Sequence, residues 1–532
     1  MQNQEKRSRL SRYILPVSSS AASAIFLITG ILLHFHVSLN DFFGLLYYAK
    51  HLSFVEPASL YNGFFPIGYA LLLRFIPYGY VLYFAYGLNI LFGGMLVAWT
   101  ISLFFRIRRS LGIALGLFIT AILFPLVFRY ANTAGPDMGL AALAMGAVYL
   151  LWKDEFGSGN TVPRKLETIM IGVFLGLSAL WRYQGIIISV AILFSYAVVF
   201  GIQKLWARRN AVLVFVLLFL VQVTANLISG HAPLETAESF TVYITFHGMN
   251  WWQIPQDAYH FSLLDQLLSH PMESLSLYIP LLWHLVVYGV PALACIPIIK
   301  SPDARKYSIF ATLTILLYSI PVAIGTSATD RAPLSIIGIA LSCTGLLAAE
   351  LQVGVKRMIG QHNPSRNMAL MILAALVLGV FGFWLYNDIN FIHAADQHHG
   401  VYSVTENVLT AKGMKSPYEV FTNDYDLYFP NTPPYLPLSD GGWEDVSLWG
   451  YRAEHPDIST DSWELFEKGL VAQHIKFLVL SHGAGLDAEF FQALYDGQFH
   501  PQGVRLISKA GGLKIYRLNE EVLQDSLSKV PH

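Results

Sequence analysis

Charge is what this chain has least of. Only 13% of its 532 residues are Asp, Glu, Lys or Arg, while 54% are hydrophobic; a soluble domain carries roughly 25% charged residues. That excludes an ordinary soluble globule and points to a polytopic membrane protein. The net charge of −1 offers no bulk attraction to nucleic acid. Cysteine is almost absent: Cys295 and Cys343 both sit in apolar segments, which excludes a disulfide framework and a paired-thiol metal site. No N-glycosylation acceptor occurs apart from Asn363-Pro364-Ser365, which its proline spoils, and this fits a bacterial envelope protein. A serine nucleophile elbow, a P-loop and a zinc ligand set are missing too, so hydrolase and ATPase readings have no support.

What is present is apolar sequence in membrane-sized pieces. A bilayer core needs about 20 apolar residues per helix. Runs of that kind predict eleven spans, at roughly 13–36, 80–105, 110–129, 134–152, 167–181, 184–203, 211–230, 275–299, 307–325, 332–350 and 368–387. The first run follows basic residues as a signal peptide does. It is long, though, and no small-residue cleavage site ends it, so it reads as a retained anchor. Lys/Arg clusters mark the cytoplasmic side. Six of them, at 6–12, 106–109, 153–165, 204–209, 300–306 and 356–366, hold 19 of the 34 basic residues and fall between alternate spans. This predicts a bacterial inner-membrane protein with its N-terminus inside and its C-terminus outside.

The chain divides by charge. Residues 388–532 contain 20 Asp/Glu against 10 Lys/Arg, while residues 1–387 contain 15 against 24. The expected organisation is a helical membrane domain over 1–387, with outer loops at 36–79 and 231–273, and a soluble extracytoplasmic α/β domain over 388–532. Within the first loop, "LLYYAKHL" and "GYALLLRFIPYG" read as helices lying along the interface. In the tail, "YEVFT" and "HIKFLVL" read as strands. "STDSWELFEKGLVAQ" reads as a helix with Ser459, Thr460 or Asp461 as its cap, and "VRLISKAGGLKIYRL" as a hairpin turning at Gly511-Gly512. No internal repeat of the transporter type is visible.

A charge within a membrane is expensive and is usually functional or paired. On the outer side such charges are Asp41, Glu56, Arg74, Arg129, Asp137, Arg182, Asp330 and Arg331, all near the outer ends of spans, where one cavity could gather several. Asp41 has two readings, a helix N-cap and a general base at the mouth of a dry cavity. Asp137 follows the Gly135-Pro136 break; it either caps the fourth span, where the helix dipole favours a carboxylate, or faces the cavity as a second acid. Arg182, between Trp181 and Tyr183, either snorkels or clamps an anion such as phosphate with its planar fork. Arg331 either pairs with Asp330 or supplies a second clamp. His247 and Asn250, beside Trp251 and Trp252, read as sugar contacts or as part of an interfacial anchor.

Taken in order, "NDFFGLLYYAKHL…EPASLYNGFFPIGYALLL", "NTAGPDMGLAALAMGAVYLLW", "LSALWRYQGIII" and a late outer domain with "VFTNDYDLYF" and "GGLKIYRL" resemble the GT-C superfamily of membrane glycosyltransferases. Protein O-mannosyltransferases, lipid A aminoarabinose transferases and oligosaccharyltransferases are among its members. The resemblance covers most of the chain. It implies a sugar donor on a polyprenyl phosphate, a glycan, lipid or protein acceptor, Asp41 as catalytic base and Asp137 as support for the site or for a divalent metal ion. Many relatives carry adjacent acids in the first loop. Here Asn40 precedes Asp41, and Glu56 is the candidate second carboxylate. Arg129, Arg182, Arg331, His247 and Asn250 complete the expected substrate-binding set. Two other classes stay open: a flippase for lipid-linked saccharides, and a non-catalytic envelope assembly protein.

Overall fold

The structure is a computed structural model. It describes residues 2–33, 66–77, 80–153, 165–228, 268–325, 331–359, 364–415, 419–423, 462–482 and 489–528, together with 35, 42, 45, 49, 155 and 233.

The membrane part is a helical bundle. Its helices are α1 (Gln2–Leu32), α2 (Ile67–Arg74), α3 (Val81–Arg108), α4 (Leu111–Leu123), α5 (Pro125–Ala131), α6 (Asp137–Lys153), α7 (Lys165–Trp181), α8 (Gln184–Phe200), α9 (Ile202–Ala207), α10 (Arg209–Ile228), α11 (Pro271–Val286), α12 (Val290–Ile298), α13 (Pro302–Gly325), α14 (Leu334–Ile359) and α15 (Pro364–Ala411). Each of the eleven expected spans contains helix among the described residues. Among the described residues, six helices are long and apolar enough to cross a membrane, or seven if α4 and α5, bent by 61° at Pro125, form one span. The expected spans at 134–152, 167–181 and 184–203 become helices of 17 residues each, about 25 Å long at 1.5 Å per residue. Gly135-Pro136 delays the start of the first, the second begins two residues sooner than expected, and Gly201 at φ +91° ends the third early. The protein is an integral membrane protein.

At the centre stands α6. All of its residues except Leu150 and Lys153 are buried, as expected of a helix that is apolar on every face. Small residues let its neighbours close in. A Cβ at Gly139 would lie 2.4 Å from Trp181 Nε1, and one at Gly146 would lie 2.8 Å from the Trp99 ring. Helices α3, α7 and α14 pack against α6, with α1 on α3 and α10 on α7. Ion pairs fasten one end of the bundle: Lys153 with Glu167, Lys204 with Glu155, and Arg108 with Glu350. This is the end that carries the basic loops.

Helix α15 has 48 residues and so runs about 72 Å, far beyond a hydrocarbon core of about 30 Å. It is continuous across Asp388, where the charge balance changes. Its far end packs on a four-stranded sheet of order β1-β2-β4-β3, made of β1 (Val420–Thr422), β2 (Phe477–Ser481), β3 (Val504–Ala510) and β4 (Leu513–Leu518). Strands β1 and β2 are parallel, and β4 pairs antiparallel with both β2 and β3. Gly511 and Gly512 turn the β3–β4 hairpin at φ +50° and +91°, a region that disfavours side chains.

Alternate residues face opposite sides of a strand, and here both faces are buried. Phe421, Leu478, Leu480 and Tyr516 meet α16 (Trp463–Ala472), α17 (Glu489–Asp496) and α18 (Glu520–Ser528). Val420, Phe477, Val479 and Ile515 join a cluster with Tyr402 and Leu409 of α15, Tyr69 of α2, Tyr86 of α3, and Ala134 and Trp181. The sheet is therefore docked over the end of the bundle opposite the ion-paired one. One local expectation needs correction: the cap of α16 is Ser462, whose hydroxyl accepts from the Leu465 amide at 3.3 Å, and not Ser459, Thr460 or Asp461.

Candidate active site

Asp137 is the first residue of α6, and its side chain is 7% exposed. The turn before it is held from outside. The Asn89 amide of α3 donates to the carbonyls of Thr133 at 2.6 Å and Gly135 at 2.9 Å. Two arginines meet the carboxylate from different connecting segments. Arg182 lies in the break between α7 and α8, with Nη1 3.3 Å from Asp137 Oδ1 and Nε donating to Gln184 Oε1 at 3.3 Å. That break is tight: a Cβ at Gly185 would lie 1.9 Å from the Ser178 carbonyl oxygen. Arg331 lies just before α14 and places Nη1 3.8 Å from Asp137 Oδ2. Three positions far apart in sequence thus share one point.

A third guanidinium stands nearby. Arg129, in the last turn of α5, lies over the Phe391 ring of α15 at 5.4 Å. The charges of Asp137, Arg331, Arg129 and Arg182 all act on the Tyr130 phenol, so the four groups share one electrostatic neighbourhood. Arg129 also acts on Asp388, which is 3% exposed and whose Oδ2 has no hydrogen-bond partner. Among the described residues, the guanidiniums of Arg129, Arg182 and Arg331 outnumber the carboxylates of Asp137 and Asp388 in this buried place. Such a place favours an anion, because Coulomb attraction strengthens as the local dielectric falls.

Among the described residues, two donors are also unengaged. Tyr69 is fully buried, its Oη has no partner, and the field of Asp137 reaches it. Trp181 Nε1 is buried without a partner as well, and the two rings meet edge-on at 5.5 Å. Buried polar atoms are nearly always hydrogen-bonded, and two orphan donors beside an excess of positive charge suit a ligand rich in oxygen. Charge-based reasoning passes over both, and over Asn89. The available signal was the rarity of an uncharged polar residue such as Asn89 inside an apolar span.

Of the expected site residues, Arg129, Asp137, Arg182 and Arg331 come together. Asp41, Glu56, His247 and Asn250 lie outside the described residues, as does Asp330. Among the described residues, no group of three or more His, Cys, Asp or Glu side chains is placed to hold a metal ion.

No family model matches the chain. No curated protein matches it in sequence. Solved structures do. ArnT from Cupriavidus metallidurans with undecaprenyl phosphate bound superposes with a TM-score of 0.55 at 13% identity, covering 93% of this chain and 96% of ArnT. Apo ArnT gives 0.50 at 12% identity, over 94% and 98%. The chain has the fold of ArnT. At such identity the likeness speaks for the fold, including a helical bundle followed by a C-terminal unit over almost the whole length. The oligosaccharyltransferase AglB from Archaeoglobus fulgidus, solved with an inhibitory peptide and dolichol phosphate, scores 0.41 at 12% identity, over 86% of this chain and 69% of AglB.

Proposed function

We propose that this chain is a glycosyltransferase that moves a sugar from a polyprenyl-phosphate donor to an acceptor on the outer face of the membrane. The observation that carries the reading is the meeting of Arg182 and Arg331 on Asp137. It occurs in a fold whose ArnT representative has been solved with undecaprenyl phosphate bound. Arg182 and Arg331 bind the donor phosphate, Arg129 adds to the positive field, and Asp137 holds the guanidiniums in place before the donor arrives.

The reaction needs little more. The acceptor hydroxyl attacks the anomeric carbon, the bond from that carbon to the phosphate oxygen breaks, and its electron pair stays on the phosphate. The growing negative charge is met by fixed guanidiniums, so no strong general acid is required. The acceptor proton goes to a carboxylate, and the sequence nominates Asp41 for that task. Attack opposite the leaving group inverts the anomeric carbon. His247, Asn250 and Glu56 belong to the same proposal as contacts to the sugar or acceptor. In this reading the unit beyond residue 387 stands outside the membrane and roofs the site.

The test is release of polyprenyl phosphate from a panel of polyprenyl-phosphate sugars by the purified protein. Release dependent on an acceptor, with Arg182→Gln weakening donor binding about 10- to 100-fold, is expected, since one charge-assisted hydrogen bond is worth about 1.5–3 kcal/mol. A flippase would translocate the intact donor and release nothing; an assembly protein would not bind it. Either result overturns the proposal.

A further inference from the structure

A second feature lies at the opposite end of the bundle, on its outer surface. Helices α1, α3 and α4 enclose a groove of about 280 Å³ lined by Val17, Ile101, Ala114, Leu115 and Phe118, with Tyr13 at its mouth. From Tyr13 to Ala21 it follows two turns of α1, about 12 Å. Besides the Tyr13 phenol at the mouth, the lining holds the Ser18 hydroxyl, which donates back to the carbonyls of Ile14 and Leu15 in its own helix, so the groove presents almost pure hydrocarbon. An apolar cavity stays dry and takes up apolar matter. Its rim residues Val17, Leu111 and Leu115 are 62%, 51% and 57% exposed, and they belong to spans whose surroundings are lipid.

A cation stands two residues before Leu111 of the lining. Arg109 caps α3 in the left-handed region at φ +51°, immediately before α4 begins at Leu111. Its neighbours are engaged: Arg108 pairs with Glu350, and Arg106 stacks on Tyr149. Arg109 is exposed and has no ion-pair partner among the described residues. A hydrocarbon slot with a cation at its headgroup-level end matches one molecule, a phospholipid with an anionic headgroup. We propose that this groove seats one acyl chain of an anionic phospholipid from the leaflet on the side of the basic loops, with its phosphate at Arg109. The site is independent of the sugar-transfer reading.

The experiment places the full-length protein in nanodiscs doped with phosphatidylglycerol or phosphatidylcholine, each carrying a photoreactive group in one acyl chain, and maps the cross-links by mass spectrometry. Expected are cross-links at Val17, Leu115 and Phe118, about fivefold stronger for phosphatidylglycerol, as one juxtamembrane arginine implies. Arg109→Gln removes the preference but not the cross-links. Leu115→Trp, at the exposed rim where folding tolerates bulk, removes both, while the lipid-facing control Leu213→Ala on α10, 57% exposed, changes neither. Equal capture of the two lipids, or a preference that survives Arg109→Gln, overturns the proposal. So does displacement of phosphatidylglycerol by polyprenyl phosphate at equal mole fraction, which would assign the groove to an isoprenoid tail.

Discussion

Asn89 offers the most direct test of how the site is built. It is 1% exposed, and its amide nitrogen serves the two carbonyls of the turn that delivers Asp137 to the arginines, at 2.6 and 2.9 Å. Replacing it by Leu keeps the branched heavy-atom shape and deletes both donors. Each buried carbonyl left without a donor costs about 1–3 kcal/mol, which sets an upper range of about 2–6 kcal/mol. Asn89 Oδ1 itself has no partner, so the variant also relieves one orphan acceptor and the expected net loss falls to about 2–4 kcal/mol. Asn89→Asp should be worse than Leu, because a carboxylate cannot donate and would face two carbonyl oxygens. Asn89→Gln keeps the donor group and should lie between wild type and Leu.

The assay has two readouts. Denaturant unfolding in detergent, followed by tryptophan fluorescence, gives the stability order wild type, Gln, Leu, Asp. Binding of polyprenyl phosphate by the still-folded fraction gives the effect on the site. If the turn positions Asp137, the Leu variant binds at least several-fold more weakly. Exposed apolar changes such as Leu213→Ala leave binding unchanged. A Leu variant within 0.5 kcal/mol of wild type and with unaltered binding would refute the idea that Asn89 holds this turn.

Glu155 provides a contrast at the other end of the bundle. It accepts from Tyr196 at 2.7 Å and from Lys204 at 2.5 Å, and pairs with Arg208, which is 2% exposed, at 3.5 Å. Glu155→Leu takes the carboxylate away from a buried guanidinium and should cost about 3–5 kcal/mol in unfolding experiments; Lys204→Ala, 54% exposed, should cost under about 1 kcal/mol. Burial works to raise the Glu155 carboxyl, but the hydrogen bonds and charges of Lys204, Tyr196 and Arg208 outweigh it and hold the group below its ordinary value. Its contribution is therefore present above the unfolded carboxylate range and lost as pH falls below it, so wild type should lose stability in acid more steeply than Glu155→Gln. Gly139→Ala should destabilise through the 2.4 Å approach to Trp181 Nε1, and the double variant Gly139→Ala/Trp181→Phe should recover part of the loss. Gly511→Val should undock the hairpin from α15: its Cβ would lie in contact with the Val401 side chain at a backbone φ of +50°, and limited proteolysis between α15 and β1 would report it.

Local chemistry was legible in the sequence wherever one segment decides its own conformation. Gly511-Gly512 turns a hairpin because only glycine relaxes at two successive positive φ values, and Asp137 opens α6 because Gly135-Pro136 forbids the helix from starting earlier. The α16 cap lies one to three residues beyond the expected ones, because four adjacent residues, Ser459, Thr460, Asp461 and Ser462, all can cap. Only the packing of Phe466 and Leu470 under the sheet fixes which one does. The site belongs to the other kind of information. Reading off expensive charges named Asp137, Arg182 and Arg331 one at a time, since each is costly in lipid on its own account. Nothing in their spacing says that they meet, because the meeting depends on α6, α7 and α14 packing together, which the glycines of α6 permit.

The uncharged members were invisible for a further reason. Tyr69 and Trp181 read as ordinary interfacial aromatics, and what distinguishes them is a missing partner, a property that exists only once everything around them has been placed. The same asymmetry says where mutation is informative. Removing a charge at this site alters folding and binding together, because Asp137 and its arginines hold each other. Tyr69→Phe deletes one oxygen that the free protein leaves unsatisfied, so stability should hold or rise slightly while ligand affinity falls. Thermal unfolding and polyprenyl-phosphate titration of that one variant separate the two roles. A Tyr69→Phe protein that binds as well as wild type would mean that the orphan hydroxyl serves no ligand.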